Sequence, residues 1–346
     1  MSRRDAAELP LSLQLSRLIV SLWIPQAIHA AAALGVADAL ARGPSRSEVL
    51  AATLTVSPDA LHRLLRALSV LGLCREDEDG TFTLTPLGDC LRAESPESVR
   101  NWALVMGGAM VWRGWGRLAE CVRTGRSAPS LDGKGTFESM AEHPEDAAVF
   151  DRAMAELTRR VSHALLSAYD FSAVHRIVDV GGGRGELLAT ILTAQPQLTG
   201  VVFDLPHCQD GACQLIAASG LSNRCEFVSG DFFETVPAGA DLYVLKSVVH
   251  DWDDARSHKI LQVCHAAMPA DARLLVVEVL MPERLGAGAL DAMITFSDLN
   301  MLAMTGGRER TAAQYERLIE HAGFRVSRIV ATRSAYSVIE AARSEN

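Results

Sequence analysis

Residues 178–188 read VDVGGGRGELL: an apolar run with one acid, four glycines around Arg184, and then the start of a helical pattern. Glycines between a strand and a helix let a ligand approach the backbone, because they carry no side chain. The helix that follows offers unpaired N–H groups at its N-terminus. This stretch predicts a nucleotide-type site in an α/β domain, and by itself it allows several nucleotides.

Length and composition favour a globular protein that works on small molecules. The chain has 346 residues, 49% of them hydrophobic, which suffices for one large or two ordinary domains. No apolar run approaches the roughly 18 uninterrupted residues of a membrane span, and the opening MSRRDAAELP lacks a secretory core. We therefore expect a cytoplasmic protein with no membrane partner. The net charge of −9 argues against nucleic acid as a partner.

The cysteines give no sign of a metal site. Seven cysteines are scattered along the chain, without a CxxC pair and without histidines at ligand spacing. We interpret them as free thiols, mostly buried, and expect no metal.

The first half of the chain carries helical patterns without parallel-strand signals. The apolar stretch 18–40 keeps one helical face, with Pro25 marking a break or kink, and it fits a long buried or dimer-forming helix pair. Ser57 and Pro58 mark the start of a further helix, as N-cap and first helical residue. Residues 74–88 (CREDEDGTFTLTPLG) indicate a strand, a DG turn and a second strand. Helix, helix and hairpin are typical of a winged helix.

The charge pattern opposes DNA binding by this winged helix. Residues 1–100 hold ten Arg and no Lys against twelve Asp and Glu, and the candidate recognition helix offers only Arg63 and Arg66. A DNA-binding domain needs a basic face. We expect packing or dimerisation instead, and a ligand-sensing winged-helix regulator is the alternative from another class.

The pattern changes after Tyr169. RIVDV, LTGVVFDL, CEFVSG, DLYVLKSV and ARLLVVEVL are short apolar runs separated by helical segments, which is typical of a doubly wound parallel sheet. The preceding region is helical and holds three of the five tryptophans, which we expect in the core. We predict a winged-helix-like domain at 1–98, a helical region at 99–170 that contributes to the substrate pocket, and an α/β domain at 171–346.

The glycine loop fits neither of the two common phosphate-binding patterns. A dinucleotide site needs G-x-G-x-x-G, but the third glycine is Glu186 when counted from Gly181 and Leu188 when counted from Gly183. A Walker-type loop needs a lysine after the glycines, and none follows. A nucleoside without a phosphate chain remains.

The acids after the next two strands agree with such a nucleoside. Asp204 lies 23 residues after Gly181 (204 − 181), at the end of the second strand, where a carboxylate can accept both ribose hydroxyls. Asp231 follows the third strand and can accept from an adenine amino group, while Phe232 covers the ring. An acid-lined pocket suits a cationic sulfonium nucleoside.

Seven motifs together carry a family resemblance. VDVGGGRG, FDLP, GDFF and VVHDW, with TPLG, DLNML and GGRERT, resemble the S-adenosylmethionine-dependent O-methyltransferases of the plant caffeate and flavonoid type and their bacterial natural-product relatives. The resemblance covers nearly the whole chain. It implies a winged-helix-like dimerisation domain followed by a Rossmann-like, cation-independent class I methyltransferase domain. It also implies a homodimer, S-adenosylmethionine as the cofactor, and methyl transfer to a hydroxyl of an aromatic small molecule in secondary metabolism.

Methyl transfer to a phenol calls for a base, and His250 is the candidate. It lies in the loop after the fourth strand, and a histidine titrates near working pH. Glu278 ends the fifth strand and faces the same edge of the sheet. The resemblance makes His250 the base, flanked by Glu278 and Glu309. Asp251 is the second choice for the acid that orients the imidazole.

The remaining site residues follow from the same resemblance. The implied cofactor-binding residues are Gly181, Gly183, Asp204, Leu205, Asp231, Phe232, Lys246 and Thr158. The implied acceptor-side residues are Met154, Asp251, Asn300 and Met301. Core filling is the alternative for the methionines. The rival chemistry on the same fold is methyl transfer to carbon or nitrogen, or cofactor-assisted hydroxylation or decarboxylation, and the presence of His250 favours base-assisted O-methylation.

Overall fold

The computed structural model describes residues 9–344, and the chain divides between Trp112 and Arg113 into two units. The helices of the first unit are Leu11–Val20, Trp23–Leu34, Val36–Leu40, Ser47–Leu54, Pro58–Val70, Pro86–Asp89 and Arg100–Gly107, and the helix Ala109–Gly116 spans the division. Its strands are β1 (Ser45–Arg46), β2 (Cys74–Glu76) and β3 (Thr81–Leu84).

The first unit has the helix, helix and hairpin that the sequence predicts. The helix Pro58–Val70 begins with Ser57 as N-cap. Its buried residues Leu61, Leu65 and Leu68 follow helical spacing and pack with Phe82 of β3 in one core. The three strands form an antiparallel sheet in the order β1-β3-β2.

The apolar stretch 18–40 falls on three helices, with one break at Ser21 and Leu22, before Pro25, and a second at Gly35. The predicted break at Pro25 is thus displaced. Pro25 is the third residue of the helix Trp23–Leu34, where a backbone N–H has no partner within the helix in any case. Leu11–Leu34 is long and apolar enough to cross a membrane by length and composition, and only 11% of its apolar window is buried.

The second unit holds the longer helices and the large sheet. Its helices are Leu118–Thr124, Ala128–Leu131, Thr136–Ala141, Pro144–Ala168, Glu186–Ala194, Gln209–Ala218, Asp254–Ala267, Ala289–Met304 and Ala312–His321, with short 3₁₀ turns at Pro206–Cys208 and Val249–Asp251. Its strands are β4 (Arg176–Val180), β5 (Thr199–Asp204), β6 (Cys225–Ser229), β7 (Leu242–Lys246), β8 (Arg273–Val279), β9 (Phe324–Ala331) and β10 (Tyr336–Arg343).

The seven-stranded sheet has the order β6-β5-β4-β7-β8-β10-β9, and its first five strands are parallel. This confirms the predicted α/β fold and all five predicted parallel strands. In the sheet, β5 and β6 lie on one side of β4, and β7 and β8 lie on its other side. The strand order therefore switches between β4 and β7, and ligands in open α/β sheets bind at the carboxyl ends of strands beside such a point.

Helices cover both faces of the parallel strands, which explains their nearly unbroken apolar runs. Ile177 and Val178 are neighbours in β4, yet they belong to two different buried clusters because successive side chains point to opposite faces. The same alternation separates Val201 from Val202 in β5. Each buried aliphatic side chain stabilises the fold by about 1.5–3 kcal/mol.

The C-terminal hairpin β9–β10 was not among the predicted strands. β10 pairs antiparallel with both β8 and β9, so the hairpin extends the sheet on the β8 side. The hairpin has fewer unbroken apolar runs than the parallel strands, because β9 lies at the edge of the sheet. The three-part division at 98/99 and 170/171 stays a prediction.

Candidate active site

A cavity of about 1120 Å³ in the second unit lies where the loops after β4, β5, β6 and β7 meet. The four loops that the sequence singled out therefore converge on one space. The wall also includes residues of the helix Pro144–Ala168 and of the segment 126–138. All three lysines of the chain, Lys134, Lys246 and Lys259, line this cavity.

The glycine loop is shaped by close backbone approach. The N–H groups of Gly181 and Gly182 both donate to the carbonyl oxygen of Phe203 in β5. Gly181 has a φ of 72°, and a Cβ there would lie 2.7 Å from Cγ2 of Val248, so a side chain is excluded. Gly183 has a φ of 56°, and a Cβ there would meet no atom within 4 Å. The loop thus packs tightly on one side and presents bare backbone to the cavity on the other.

A buried carboxylate, Asp179, and a half-buried one, Asp204, lie next to this loop. Asp204 accepts the N–H of Gly183 on Oδ2 at 2.6 Å and the N–H of Leu205 on Oδ1 at 2.7 Å. Asp179 of β4 is 3% exposed, and within residues 9–344 its Oδ2 has no hydrogen-bond partner. Burial raises the pKa of Asp179 to about 7, and the positive charge of Lys246 opposes the rise.

Aromatic rings line the wall after β6. Asp231 accepts the N–H of Phe233 on Oδ1 at 2.8 Å, which fixes the turn that presents Phe232 to the cavity. Trp252 lies edge-on to both phenylalanines, with ring centroids 6.1 Å from Phe232 and 4.8 Å from Phe233. This part of the cavity offers flat apolar surface beside a carboxylate.

Lys246 and Thr158 meet at the cavity wall, 88 residues apart in sequence. Lys246 Nζ donates to Thr158 Oγ1 at 2.9 Å, and the Thr158 hydroxyl donates to the carbonyl oxygen of Met154 at 2.7 Å. Burial lowers the pKa of Lys246, while Asp179 and Glu278 act in the opposite direction. All three residues of this chain of contacts line the cavity.

The imidazole of His250 lies among three carboxylates. Its Nδ1 is 3.2 Å from Glu309 Oε1 and 3.6 Å from Glu278 Oε2, and its Nε2 is 3.9 Å from Asp251 Oδ1. The hydroxyl of Ser297 donates to the same Oε1 of Glu309 at 2.6 Å. Glu309 is therefore the closest acid to Nδ1, and Asp251 faces the opposite nitrogen.

The 3₁₀ turn Val249–Asp251 that carries His250 is held at both ends by buried charged groups. Glu278 Oε1 accepts the N–H groups of Val248, Val249 and His250 at 3.0–3.3 Å. Arg310, 1% exposed, donates to the carbonyl oxygens of Val249 and Trp252 at 3.0 and 2.8 Å. The turn therefore has an anion on its N–H side and a cation on its carbonyl side.

Carboxylates around the imidazole shift its titration. Burial alone would lower the pKa of His250, but Glu278, Asp251 and Glu309 together raise it above its ordinary value. Burial raises the pKa of Glu278 to about 7 and that of Asp251 to about 6. The carboxylates therefore favour a positive charge on the imidazole, while burial favours the neutral form of Glu278 and Asp251.

Comparisons with known proteins agree with this geometry. Residues 115–325 match the family model of the O-methyltransferase domain, and residues 16–94 match the O-methyltransferase dimerisation domain. The chain is 40% identical to a phenazine O-methyltransferase of Lysobacter antibioticus, over 97% of each chain.

The chain belongs to the O-methyltransferase family. Another relative, an 8-amino-8-demethylriboflavin N,N-dimethyltransferase of Streptomyces davaonensis, is 36% identical over 93% of this chain and 92% of its own. A solved O-methyltransferase from neocarzinostatin biosynthesis, in complex with S-adenosylmethionine and 2-hydroxy-5-methyl naphthoic acid, superposes with a TM-score of 0.78. It is 35% identical and covers 95% of this chain and 98% of its own.

Family membership settles several expectations from the sequence. The methyltransferase uses S-adenosylmethionine, and its activity is O-methylation in secondary metabolism. It also carries an O-methyltransferase dimerisation domain. The family model of the dimerisation domain begins at residue 16 and so includes most of the apolar stretch Leu11–Leu34.

The cavity of the methyltransferase fits its cofactor. S-adenosylmethionine has no phosphates, and the cavity offers carboxylates where a dinucleotide site would offer a phosphate cradle. The open space at Gly183 marks the part of the wall where a polar ligand group has room.

Some of the predicted site residues lie outside the cavity wall. His250, Glu278 and Glu309 form their own cluster behind Val248 and Asp251, which do line the cavity. Asn300 Oδ1 accepts the indole N–H of Trp115 at 2.9 Å, and Met301 is buried; neither lines the cavity. Their roles stay predictions.

Four residues of the site were missed by sequence reasoning: Asp179, Trp252, Ser297 and Arg310. The signal for Asp179 was an acid inside the apolar run RIVDV, since a buried strand tolerates a carboxylate only for a reason. Trp252 lies in the quoted VVHDW and Arg310 in GGRERT. Ser297 carries no comparable signal.

The variant Arg310→Lys tests whether the guanidinium group is needed to hold the backbone of the turn Val249–Asp251 in place. A lysine cannot reach both carbonyl oxygens and Asp254 at once, so we expect a loss of about 2–4 kcal/mol in the free energy of unfolding. Amide hydrogen exchange in residues 248–252 should also become faster, as measured by mass spectrometry. Arg308→Lys, an exposed position in the same motif, is the matched control. Equal exchange in the two variants would contradict the role of Arg310.

Proposed function

We propose that the protein methylates a phenolic hydroxyl of an aromatic small molecule, with His250 as general base. The observation that carries this proposal is the contact of 3.2 Å between His250 Nδ1 and Glu309 Oε1. That contact keeps the Nδ1 proton in place, so Nε2 is the nitrogen available to accept a proton. Without removal of its proton, a phenol is a weak nucleophile.

The cofactor would be held by the residues that the sequence suggested. Gly181 and Gly183 would face it with bare backbone, and Asp204 with Leu205 would take the ribose. Asp231 and Phe232 would hold the adenine, with Lys246 and Thr158 at the neighbouring wall. When bound, S-adenosylmethionine supplies an activated methyl group on a sulfonium. The carboxylates of this wall favour a cationic ligand.

The protein's own residues then handle the acceptor proton. His250 Nε2 takes the proton of the acceptor hydroxyl, and Glu309 and Glu278 stabilise the imidazolium that forms. Ser297 donates to Glu309 and keeps its carboxylate aimed at Nδ1. Asp251 lies on the Nε2 side, where it can contact the acceptor hydroxyl before transfer.

We propose that the acceptor lies against Met154, Asp251, Asn300 and Met301, with walls from the helical region 99–170. Met154 and Asp251 support this because both line the cavity. Phenazines, hydroxynaphthoates and aminohydroxybenzoates, named for relatives, form the first panel of acceptors. Mass spectrometry of the products should show the gain of one methylene unit, and fragmentation should place it on oxygen; a methyl on carbon or nitrogen would favour the rival chemistry.

Replacing His250 by alanine tests its role as a base. We expect kcat to fall by about 10²–10⁴, which is the usual contribution of general-base catalysis. The Kd of S-adenosylhomocysteine should change less than about twofold. His250 lies outside the cavity wall and therefore contributes little to the binding of the cofactor. Single-turnover kinetics and calorimetry measure the two quantities separately. Unchanged turnover would reject His250 as the base.

The pH dependence of kcat/KM tests the acids around the imidazole. Protonated His250 cannot accept a proton, so activity should rise with pH, with its ascending limb above the ordinary range of histidine, because the pKa of His250 is raised. Glu309→Gln removes one negative charge and should move that limb to lower pH. Glu320→Gln, at an exposed position, is the control. If the ascending limb of the pH profile lies at the same pH in Glu309→Gln and in the wild type, Glu309 does not affect the titrating group.

We propose that the protein is a cytoplasmic homodimer that pairs through its N-terminal helices. The support is a row of apolar side chains that the single chain leaves open to solvent, including Leu11 (82% exposed), Leu18 (71%) and Trp23 (65%). Exposed apolar patches of this kind are typical of subunit interfaces. The dimerisation-domain match covers the same region.

Sedimentation measures the proposed dimer directly. The wild type should sediment at twice the 37.2 kDa of the chain, while the double variant Leu18→Glu/Trp23→Glu should sediment as a monomer, because two charges cannot be buried in an apolar interface. Val70→Glu changes an isolated exposed apolar residue, 89% exposed, and should stay dimeric. A monomeric wild type would contradict the proposal.

A further inference from the structure

Asp151, His207 and Cys208 form a cluster of three different metal-ligating groups in the wall of the cavity. Asp151 comes from the helix Pro144–Ala168, and the other two come from the 3₁₀ turn Pro206–Cys208 directly after β5. His207 Nε2 lies 3.4 Å from Cys208 Sγ and 3.9 Å from Asp151 Oδ1. The three ligand atoms all lie within 4.8 Å of one another.

Two of these separations are close to those of ligands around one tetrahedral zinc ion, and the third, between the Asp151 carboxylate and Cys208 Sγ, is at most 4.8 Å. The usual bond lengths to zinc place a thiolate sulfur about 3.6 Å from an imidazole nitrogen, and a nitrogen about 3.4 Å from a carboxylate oxygen. A small rotation of His207, whose side chain is 45% exposed, brings the longer distance into this range. Three protein ligands leave one position for water.

The donor set of the cluster favours a cation. Asp151 offers a carboxylate, and the carboxylate of Asp204 lines the same cavity wall, with its oxygens held by the N–H groups of Gly183 and Leu205. The cluster therefore places two carboxylates beside a thiol and an imidazole, and Arg184 and Arg152 are the arginines whose charges act on Asp151.

We propose that Asp151, His207 and Cys208 bind Zn²⁺ and that the bound ion blocks the ribose end of the cofactor cavity. A thiolate and an imidazole select a borderline-soft ion such as Zn²⁺ over Mg²⁺ or Ca²⁺. The thiol proton leaves to solvent when the sulfur binds the ion. Because Asp204 and Gly183 line the same corner, the ion and the cofactor compete for it. The site is inhibitory and takes no part in methyl transfer.

Metal binding to the tag-free, full-length protein tests the site without any turnover. Equilibrium dialysis with Zn²⁺ alone should give one ion per chain, and Co²⁺ in its place should give the absorption of a thiolate-bound tetrahedral ion. Cys208→Ser and His207→Gln should each weaken binding at least about tenfold, since even indirect changes at zinc sites have effects of that size. Circular dichroism shows whether each variant is folded.

Cys213→Ser is the matched control, because Cys213 is an exposed cysteine outside the cluster. It should bind Zn²⁺ like the wild type. Binding that survives in Cys208→Ser, or that is lost equally in Cys213→Ser, would overturn the assignment, as would the absence of stoichiometric binding.

Calorimetry with S-adenosylhomocysteine tests the competition. Saturating Zn²⁺ should weaken its binding at least about tenfold in the wild type and leave it unchanged in Cys208→Ser, because coupling between the two ligands is reciprocal. Equal affinity with and without Zn²⁺ in the wild type would overturn the blocking role. None of these measurements depends on methyl transfer, so their failure would leave the proposed function intact.

Discussion

The site depends on the hydrogen bonds between the side chains of Glu278 and Arg310 and the backbone of the short turn that carries His250. Three backbone N–H groups point at Glu278, and two carbonyl oxygens of the same segment point at Arg310. Both charged groups are almost fully buried, where an unpaired ion is very unfavourable. Neither residue can move away from the turn without losing these hydrogen bonds, so they fix the backbone around His250 together with the apolar packing of Val248 and Val249.

The same arrangement ties the imidazole to the core of the sheet. Glu278 belongs to β8, and Glu309 and Arg310 are consecutive residues that hold the side chain of His250 and the backbone of its turn, respectively. A shift of this dipeptide would therefore move the turn and the acid together. The contact between the imidazole and Glu309 would persist during such a movement, whereas the contact with Glu278 of β8 would change.

The sequence predicts the scaffold well and the cluster around His250 only in part. Apolar runs bounded by glycine and acids locate the five parallel strands and their loops, because a strand buried on both faces has few other compositions. The hairpin β9–β10 cannot be located in this way, because buried and exposed residues alternate irregularly along its edge strand β9. Asn300 accepts from Trp115, a contact that the sequence does not predict, and its place at the acceptor stays a prediction; Ser297 was missed because its contact with Glu309 follows no recognisable spacing in the sequence. Asp151 and Cys208 are 57 positions apart (208 − 151), so ligand spacing could not reveal them either.

The placement of the lysines determines where amine-directed reagents can modify the protein. Thirty arginines carry nearly all of its positive side-chain charge, and arginine does not react with ordinary amine reagents. The three lysine amines all border one cavity, and they differ. Lys246 is half-buried with a lowered pKa, Lys134 is paired with Glu142, and Lys259 is exposed on a helix. Acylating reagents, surface immobilisation through amines and amine-directed cross-linking would thus reach lysine side chains only around this cavity.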